Sequence, residues 1–260
     1  MTKRIKSPFN TLSLPELDGP QLLKFGTTNA KLRNSKTADF SLPAGYSCPG
    51  AKECLAWFDR DERKLKDGPD AKHRCFAASL EAAFPSVRNS VDRNMALLKA
   101  AKTAAGMAEL IDMSLPSRFY ENIRIHADGD FFSQAYLEAW IQVAVTNPRR
   151  VFYAYTKSLP LWVKLRDTMP RNFVLTASYG GKWDSLIEPN GFRSARVVLH
   201  PDEAELLGLE IDHDDSLARN PDGGDFALII HGVQPAGSPP AAAIKRLKSE
   251  NVQYAYSRKK

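Results

Sequence analysis

The chain has 260 residues and a formal net charge of +6 at pH 7, with 43% hydrophobic and 25% charged residues. This composition excludes wholesale disorder, and the length suffices for the core of one barrel-sized domain. No apolar run approaches the roughly 20 residues that cross a bilayer, and no secretory-type apolar stretch follows the basic start MTKRIKSPFN. We therefore expect a cytoplasmic protein with no membrane partner.

The sequence favours one domain with four parts. Residues 1–39 form an N-terminal extension, and residues 40–84 hold all three cysteines of the chain. Residues 85–256 alternate between helical and strand-like patterns, and residues 257–260 form a basic tail. A chain of this length accommodates a single α/β barrel, so no domain boundary is needed to explain the pattern.

Hydrophobic periodicity predicts the secondary structure in chain order. Strands alternate apolar and polar residues, whereas helices repeat apolar residues every three or four positions. The predicted elements are a strand at 39–45, a helix at 86–113, a strand at 122–128, a helix at 132–147 with Ser133 as its N-cap, a strand at 150–156, a helix at 158–169, strands at 172–179 and 195–200, a helix at 201–209, a strand at 226–232 and a helix at 239–250.

Strands that alternate with helices of this length indicate a parallel sheet. Two α/β architectures fit the pattern: an open doubly wound sheet and a parallel β/α barrel, complete or partial and TIM-like, with an N-terminal cysteine-bearing metal loop. No glycine-rich dinucleotide fingerprint follows any strand, so the usual Rossmann signature is missing. We expect the barrel.

Polar side chains follow the predicted strands where each strand ends. The carboxyl ends of barrel strands meet at one mouth, which is where such barrels build their active sites. Asp and Ser at these positions also commonly cap the next helix, so a capping role stays open for each of them, including Asp130. The residues in question are His126, Asp128, Asp130, Lys157, Ser178, Tyr179 and His231.

The cysteines Cys48, Cys54 and Cys75 are spaced C-x5-C-x20-C. Three clustered thiols in a reducing cytosol indicate a metal or catalytic site more than a disulfide framework. With His73 as a fourth ligand they suit zinc, and alone they suit a [4Fe-4S] cluster with one iron left for another ligand. Three unrelated buried thiols are the remaining alternative.

Four segments together resemble the bacteriophage "gene product 88" family: FSLPAGYSCPGAKEC, HRCFAAS, RIHADGDFFSQAYLEAWIQVA and VFYAYTKSLPLW. The likeness extends from about Lys31 to about Tyr256. More distantly, a cysteine loop after the first barrel strand is similar to the radical S-adenosylmethionine (SAM) enzymes. That resemblance implies a [4Fe-4S] cluster on three cysteines, with an open iron that binds SAM. The spacing here departs from their usual C-x3-C-x2-C.

Two classes of function follow. In the first, an iron–sulfur enzyme of radical-SAM-like or Lewis-acid type acts on a small molecule. Asp128 and Asp130 would then serve acid–base chemistry or bind a cation, and Lys157 would bind an anion. His126, Ser178, Tyr179 and His231 would contact the cofactor.

In the second class, a nucleic-acid-binding or regulatory module carries a structural zinc or iron–sulfur site. The basic residues toward the C-terminus permit this alternative without establishing it, because terminal basic clusters are most often solvated. These residues are Lys245, Arg246, Lys248, Arg258, Lys259 and Lys260. The sequence indicates no particular oligomeric state.

Overall fold

The structure is a computed structural model that describes residues 21–254. The basic cluster near the start and the basic tail lie outside the described residues. The strands are β1 (Phe25–Gly26), β2 (Thr37–Ser41), β3 (Ala56–Asp59), β4 (Lys64–Asp67), β5 (Asn122–Asp128), β6 (Val151–Thr156), β7 (Phe173–Ser178), β8 (Ser194–Val198), β9 (Glu210–Ile211) and β10 (Phe226–Ile229). The helices are α1 (Phe76–Ala83), α2 (Pro85–Ala101), α3 (Ala104–Ser114), α4 (Gln134–Thr146), α5 (Leu159–Leu165), α6 (Pro201–Leu206), α7 (Ser216–Arg219) and α8 (Pro239–Ser249), with short 3-10 helices at Ala30–Ser35, Arg166–Thr168, Asp184–Leu186 and Glu188–Asn190.

An eight-stranded, mostly parallel sheet forms the centre of the fold, in the order β1-β2-β5-β6-β7-β8-β10-β9. Only β1 pairs antiparallel to its neighbour among the pairs of this sheet. The six strands from β2 to β10 lie side by side in chain order, as strand–helix repeats predict. The α/β prediction with a parallel sheet is confirmed.

The two edges of this sheet, β1 and β9, do not pair with each other, so the described residues do not show a closed barrel. Of the predicted barrel, complete or partial, the complete form is therefore not observed. The edge strands are only two residues long, too short to form a ladder across the remaining gap. The residues assigned to an N-terminal extension contribute β1 and most of β2 to the sheet.

Helices α3 and α4 pack on one face of the sheet through alternate strand residues. Ile123 and Ile125 of β5 and Phe152 of β6 are buried against Tyr136 and Trp140 of α4. Helix α4 starts where its capping residue predicts, because Ser133 Oγ accepts a hydrogen bond from the N–H group of Tyr136. This outer layer holds the largest apolar cluster of the described residues, which leaves the other sheet face for a different role.

The helix predicted at 86–113 is two helices, α2 and α3. The break falls at Lys102, whose φ is 60°, and Thr103 then caps α3 by accepting from the N–H group of Gly106. Neither glycine nor proline marks this break, so apolar periodicity alone runs through it. In the part of the chain that the structure describes, no helix is both long and apolar enough to cross a membrane.

Charged side chains meet on the inner face of the sheet. Asp215, fully buried at the start of α7, accepts from Arg124 of β5 at 2.9 Å and from Lys31 at 2.6 Å. The hydroxyls of Tyr153 and Tyr155 donate to the same carboxylate. Helix α7 packs against β6 and β7, so this ion cluster ties α7 to the inner face of the sheet.

Candidate active site beside the cysteine loop

A cavity of about 1340 Å³ lies against the inner face of the sheet. Residues of all eight strands of the sheet line it, although the two edges of the sheet stay unpaired. All three cysteines, Cys48, Cys54 and Cys75, line the same cavity. This volume exceeds the usual range for a pocket that takes one small molecule, so it has room for a cofactor and a substrate together.

The first two cysteines lie on a loop that crosses the carboxyl ends of the strands. Ala51 forms a bridge with Gly181 in the connection after β7, and the N–H group of Glu53 donates to the carbonyl of Gly180 at 2.9 Å. A Cβ atom at Gly50 would come within 2.2 Å of the Lys157 carbonyl oxygen, so only glycine fits there. The sequence CPGAKEC therefore folds flat against β6 and β7.

A buried carboxylate on α1 holds the beginning of this loop. Glu81 Oε1 accepts from the N–H group of Ala44 at 2.6 Å, and its Oε2 accepts from Arg60 at 2.6 Å. Arg60 also pairs with Asp92 of α2. Burial raises the pKa of Glu81, while Arg60 opposes that shift by stabilising the charged form. The turn before Cys48 is thus tied to the helices that follow the loop.

Cys75 reaches the cavity from the N-cap position of α1. The backbone of Arg74 exchanges two hydrogen bonds with the Gln234 side chain, and the Arg74 guanidinium pairs with Asp67 of β4. These contacts fix the third cysteine between the β3–β4 hairpin and the segment after β10. Its place at a helix N-terminus favours the thiolate.

The three thiols are free and half-buried, and they influence each other electrostatically. Burial raises the pKa of Cys75 to about 12, and Cys54 and Asp128 add to the rise. Burial raises the pKa of Cys48 as well, with smaller contributions from Asp130 and the other two thiols. Thiolates here need a cationic partner. Within residues 21–254, no three His, Cys, Asp or Glu side chains converge closely enough to hold one metal ion, so the predicted metal loop is not confirmed.

Two inward residues of β5 each leave a polar atom without a hydrogen-bond partner among the described residues: His126 Nδ1 and Asp128 Oδ1. Both residues are buried and line the cavity. A bulge in β5 places them there, because three residues lie between Arg124 and Asp128 where β2 has one between their partners. His126 adopts a φ of 67°, which a non-glycine residue adopts only when its surroundings hold it.

Burial sets the protonation of both side chains. It lowers the pKa of His126 to about 3, so the ring is neutral, and Nε2 lies 3.0 Å from the Tyr136 hydroxyl. It raises the pKa of Asp128 to about 7, assisted by Glu81 and Asp39. A carboxyl group that titrates near neutral pH can accept or donate a proton, as acid–base catalysis requires.

Asp130 and Lys157 are held by the protein. The Asp130 carboxylate accepts from the Thr156 hydroxyl at 2.6 Å and from the N–H groups of Phe131 and Lys157. The Lys157 ammonium donates to the carbonyls of Ser178 and Tyr179 and to the Ser178 hydroxyl. Asp130 therefore joins β5 to β6 rather than capping α4, and Lys157 joins β6 to β7.

The other predicted residues divide between cavity and surface. Ser178, His231 and His73 line the cavity, and the His231 ring packs on Phe76 at 4.7 Å. Tyr179 is not among the lining residues, because its ring lies under the Arg196 guanidinium, 3.5 Å from the ring centroid. The structure thus brings six of the seven predicted strand-end residues to one cavity.

The sequence did not predict that the charged residues Lys31, Asp39 and Arg124, among others, line the cavity. Asp39 and Arg124 are register partners on adjacent strands. The available signal was a charged residue alternating with buried apolar residues inside each strand, in TADFS and NIRIHAD. Such a residue points to the face opposite the apolar core.

Asp128 should make the stability of the metal-free protein depend on pH. Its pKa rises from 3.8 when unfolded to about 7 when folded, so the folded state binds the proton more tightly. The free energy of unfolding should therefore decrease as the pH rises from about 4 to about 7, by about 1.4 kcal/mol for each pH unit. Urea unfolding from pH 4 to pH 8 should show that Asp128→Asn removes this slope, whereas exposed Asp61→Asn keeps it. Equal slopes in the two variants would contradict the raised pKa of Asp128 in the folded protein.

Residues 21–252 match the family described as Gene product 88. The "Gene 88 protein" of Mycobacterium phage L5 is 30% identical over 165 residues, which are 58% of this chain and 59% of that protein. The chain thus spans about three fifths of the length of this curated relative. No solved structure matches the chain. Because the match covers most of its length, the chain belongs to the Gene product 88 family of bacteriophage proteins.

Proposed function

We propose that the protein is an iron–sulfur enzyme in which Cys48, Cys54 and Cys75 hold a [4Fe-4S] cluster at the mouth of a partial β/α barrel. A small molecule then binds beside the cluster. One observation carries the proposal: all cysteines of the chain line one large cavity together with unpartnered polar atoms of His126 and Asp128. Buried polar groups are nearly always satisfied, so those atoms are positions at which a ligand can bind.

The donor set suits a cluster. Thiolates are the ligands that iron–sulfur clusters use, and three of them leave one iron for a further ligand. Each thiolate of a cluster binds a different iron, so the thiols need not converge on a single ion as they must for zinc. A cluster with an open iron supplies a coordination position and an electron for SAM chemistry.

The protein groups around this site have separable roles. Asp128 titrates near neutral pH and is suited to exchange a proton with a bound ligand or to accept a hydrogen bond from its amino group. The neutral His126 ring offers Nδ1 to the same ligand. Asp130 and Lys157 act by positioning, since they hold the ends of β6 and β7 beneath the cysteine loop.

SAM is the first ligand to test, because the cysteine loop is similar to that of radical SAM enzymes. Titration calorimetry on oxygen-free, cluster-loaded protein should show one SAM bound per chain. Asp128→Asn should weaken binding at least tenfold, the usual cost of an unpaired buried polar partner. Asp61→Asn is the matched control on the surface. A full cluster with no SAM binding would instead indicate an electron carrier or a structural cluster.

The alternative function, nucleic-acid binding, requires a continuous basic surface. On α8, Arg246 pairs with Asp202 and Glu250, which reduces the positive charge that this helix presents. DNA binding that falls steeply with salt would favour this function, because phosphate contacts release counterions. In that case, Asp128→Asn should leave DNA binding unchanged.

A further inference from the structure

Three alternating residues of β5 each leave one buried polar atom without a partner among the described residues. They are Arg124 Nε, His126 Nδ1 and Asp128 Oδ1, and all three residues line the cavity. A bulge shortens this part of β5, so Arg124 and Asp128 lie opposite Asp39 and Ser41, which are two residues, or about 7 Å, apart on β2. Asp128 is the last residue of β5, and Arg124 lies nearer its amino end. The proposed cluster and SAM account for the polar atoms of His126 and Asp128 but not for that of Arg124.

Arg124 is held so that one edge of its guanidinium stays available. Nη1 donates to Asp215 at 2.9 Å, and the guanidinium lies 5.4 Å from the centroid of the Tyr155 ring. Its side chain is 13% exposed, so its orientation is set by these neighbours. The remaining Nε edge is the edge that binds a carboxylate through two parallel hydrogen bonds.

Asp39 makes this place suited to a zwitterion rather than to a simple anion. It is the register partner of Arg124 and lines the same part of the cavity, yet no ion pair within 4 Å joins the two among the described contacts. Lys31 and Arg124 supply two positive charges opposite the carboxyl groups of Asp215 and Asp39. Burial raises the pKa of Asp39, and Arg124 and Asn29 oppose that rise. A phosphate would be repelled by Asp39, whereas an amino group beside a carboxylate would pair with it.

We propose that Arg124 and Asp39 form a substrate subsite that binds a group carrying both a carboxylate and an amino group. Arg124 takes the carboxylate through its Nε edge, and Asp39 takes the ammonium group. The substrate extends from there along β5 toward the cysteines. The inference rests on the proposed function in placing the reacting end of the substrate at the cysteines, but the subsite itself needs no cluster.

The test uses glycine, acetate and inorganic phosphate as probes on the full chain with its cluster. The side-chain ¹⁵N–¹H signal of Arg124 Nε reports directly on the subsite, and it is assigned by its loss in Arg124→Lys. Glycine at millimolar concentration should shift this signal, acetate should bind at least tenfold more weakly, and phosphate should leave it unchanged. Arg171→Lys, at an exposed ion pair, should keep the glycine response.

Three further results separate the subsite from the proposed function. Asp39→Asn should weaken glycine binding at least tenfold, Arg124→Lys should leave SAM binding intact, and Cys48→Ala should still bind glycine although it lacks a cluster. An Arg124 signal that none of the probes moves would overturn the subsite. Phosphate binding tighter than glycine, or an unchanged affinity in Asp39→Asn, would overturn the zwitterion assignment.

Discussion

Protein purified without oxygen is expected to contain about four irons and four sulfides per chain and to show the broad visible absorption of thiolate-bound clusters. Changing Cys48, Cys54 or Cys75 to Ala should abolish both, because each thiol is one of only three available in the chain. Metal and sulfide analysis with absorption spectra measures the effect. Oxygen should bleach the wild-type protein, since an iron without a cysteine ligand is easily lost.

Ser79→Ala is the matched control for these cysteine variants. Ser79 lies one helical turn from Cys75 and lines the same cavity, and its buried hydroxyl has no partner among the described residues. Its loss should leave the iron and sulfide content unchanged. Stoichiometric zinc without sulfide would exclude the cluster and favour the structural zinc site. Retention of the full cluster in any cysteine variant would exclude that cysteine as a ligand.

Asp215→Asn should reduce the free energy of unfolding by about 3–5 kcal/mol, the usual cost of removing one partner from a buried ion pair. Asn keeps the size of the side chain and tolerates the φ of 62° at this position, so backbone strain does not explain the loss. The variant leaves Lys31 and Arg124 without their shared carboxylate. Urea unfolding at pH 7 measures the change.

The exposed pair of Asp222 with Arg171 provides the control, because Asp222→Asn should change stability by about 0–1 kcal/mol. The pH dependence gives a second check. Burial alone would raise the pKa of Asp215, but Arg124 and Lys31 hold it below its ordinary value. The stabilisation is therefore complete above about pH 4 and is lost as pH falls below it. If Asp215→Asn loses stability equally at pH 3 and pH 7, the charge of Asp215 is not what stabilises the fold.

The parallel sheet could be predicted because hydrophobic and polar residues alternate clearly along its strands. In β5, Ile123 and Ile125 alternate with polar residues, and Ser133 marks the start of the next helix. The hairpin β3–β4 could not be predicted in the same way, because its strands AWFD and KLKD are only four residues long and KLKD has no fully buried residue. Short, half-exposed strands depend on tertiary pairing more than on local sequence.

The candidate site could be predicted as a set of residues but not as a set of roles. Placement after a strand was enough to bring Asp128, Asp130 and Lys157 to one end of the sheet. Which side chains stay available depends on contacts distant in sequence, such as Thr156 with Asp130 and Tyr179 with Lys157. Arg124 was missed for a related reason: its partner Asp215 lies 91 residues away.

Backbone contacts with the sheet hold the cysteine loop, and they determine how the protein can acquire its cluster. In a zinc finger the metal organises the chain, so part of the free energy of metal binding is used to fold the protein. Here Ala51, Glu53 and Gly50 are held by Gly181, Gly180 and Lys182, and Ala44 is held by Glu81. The empty protein should therefore be a folded acceptor, able to receive an assembled cluster from a donor after synthesis and to survive its loss and replacement.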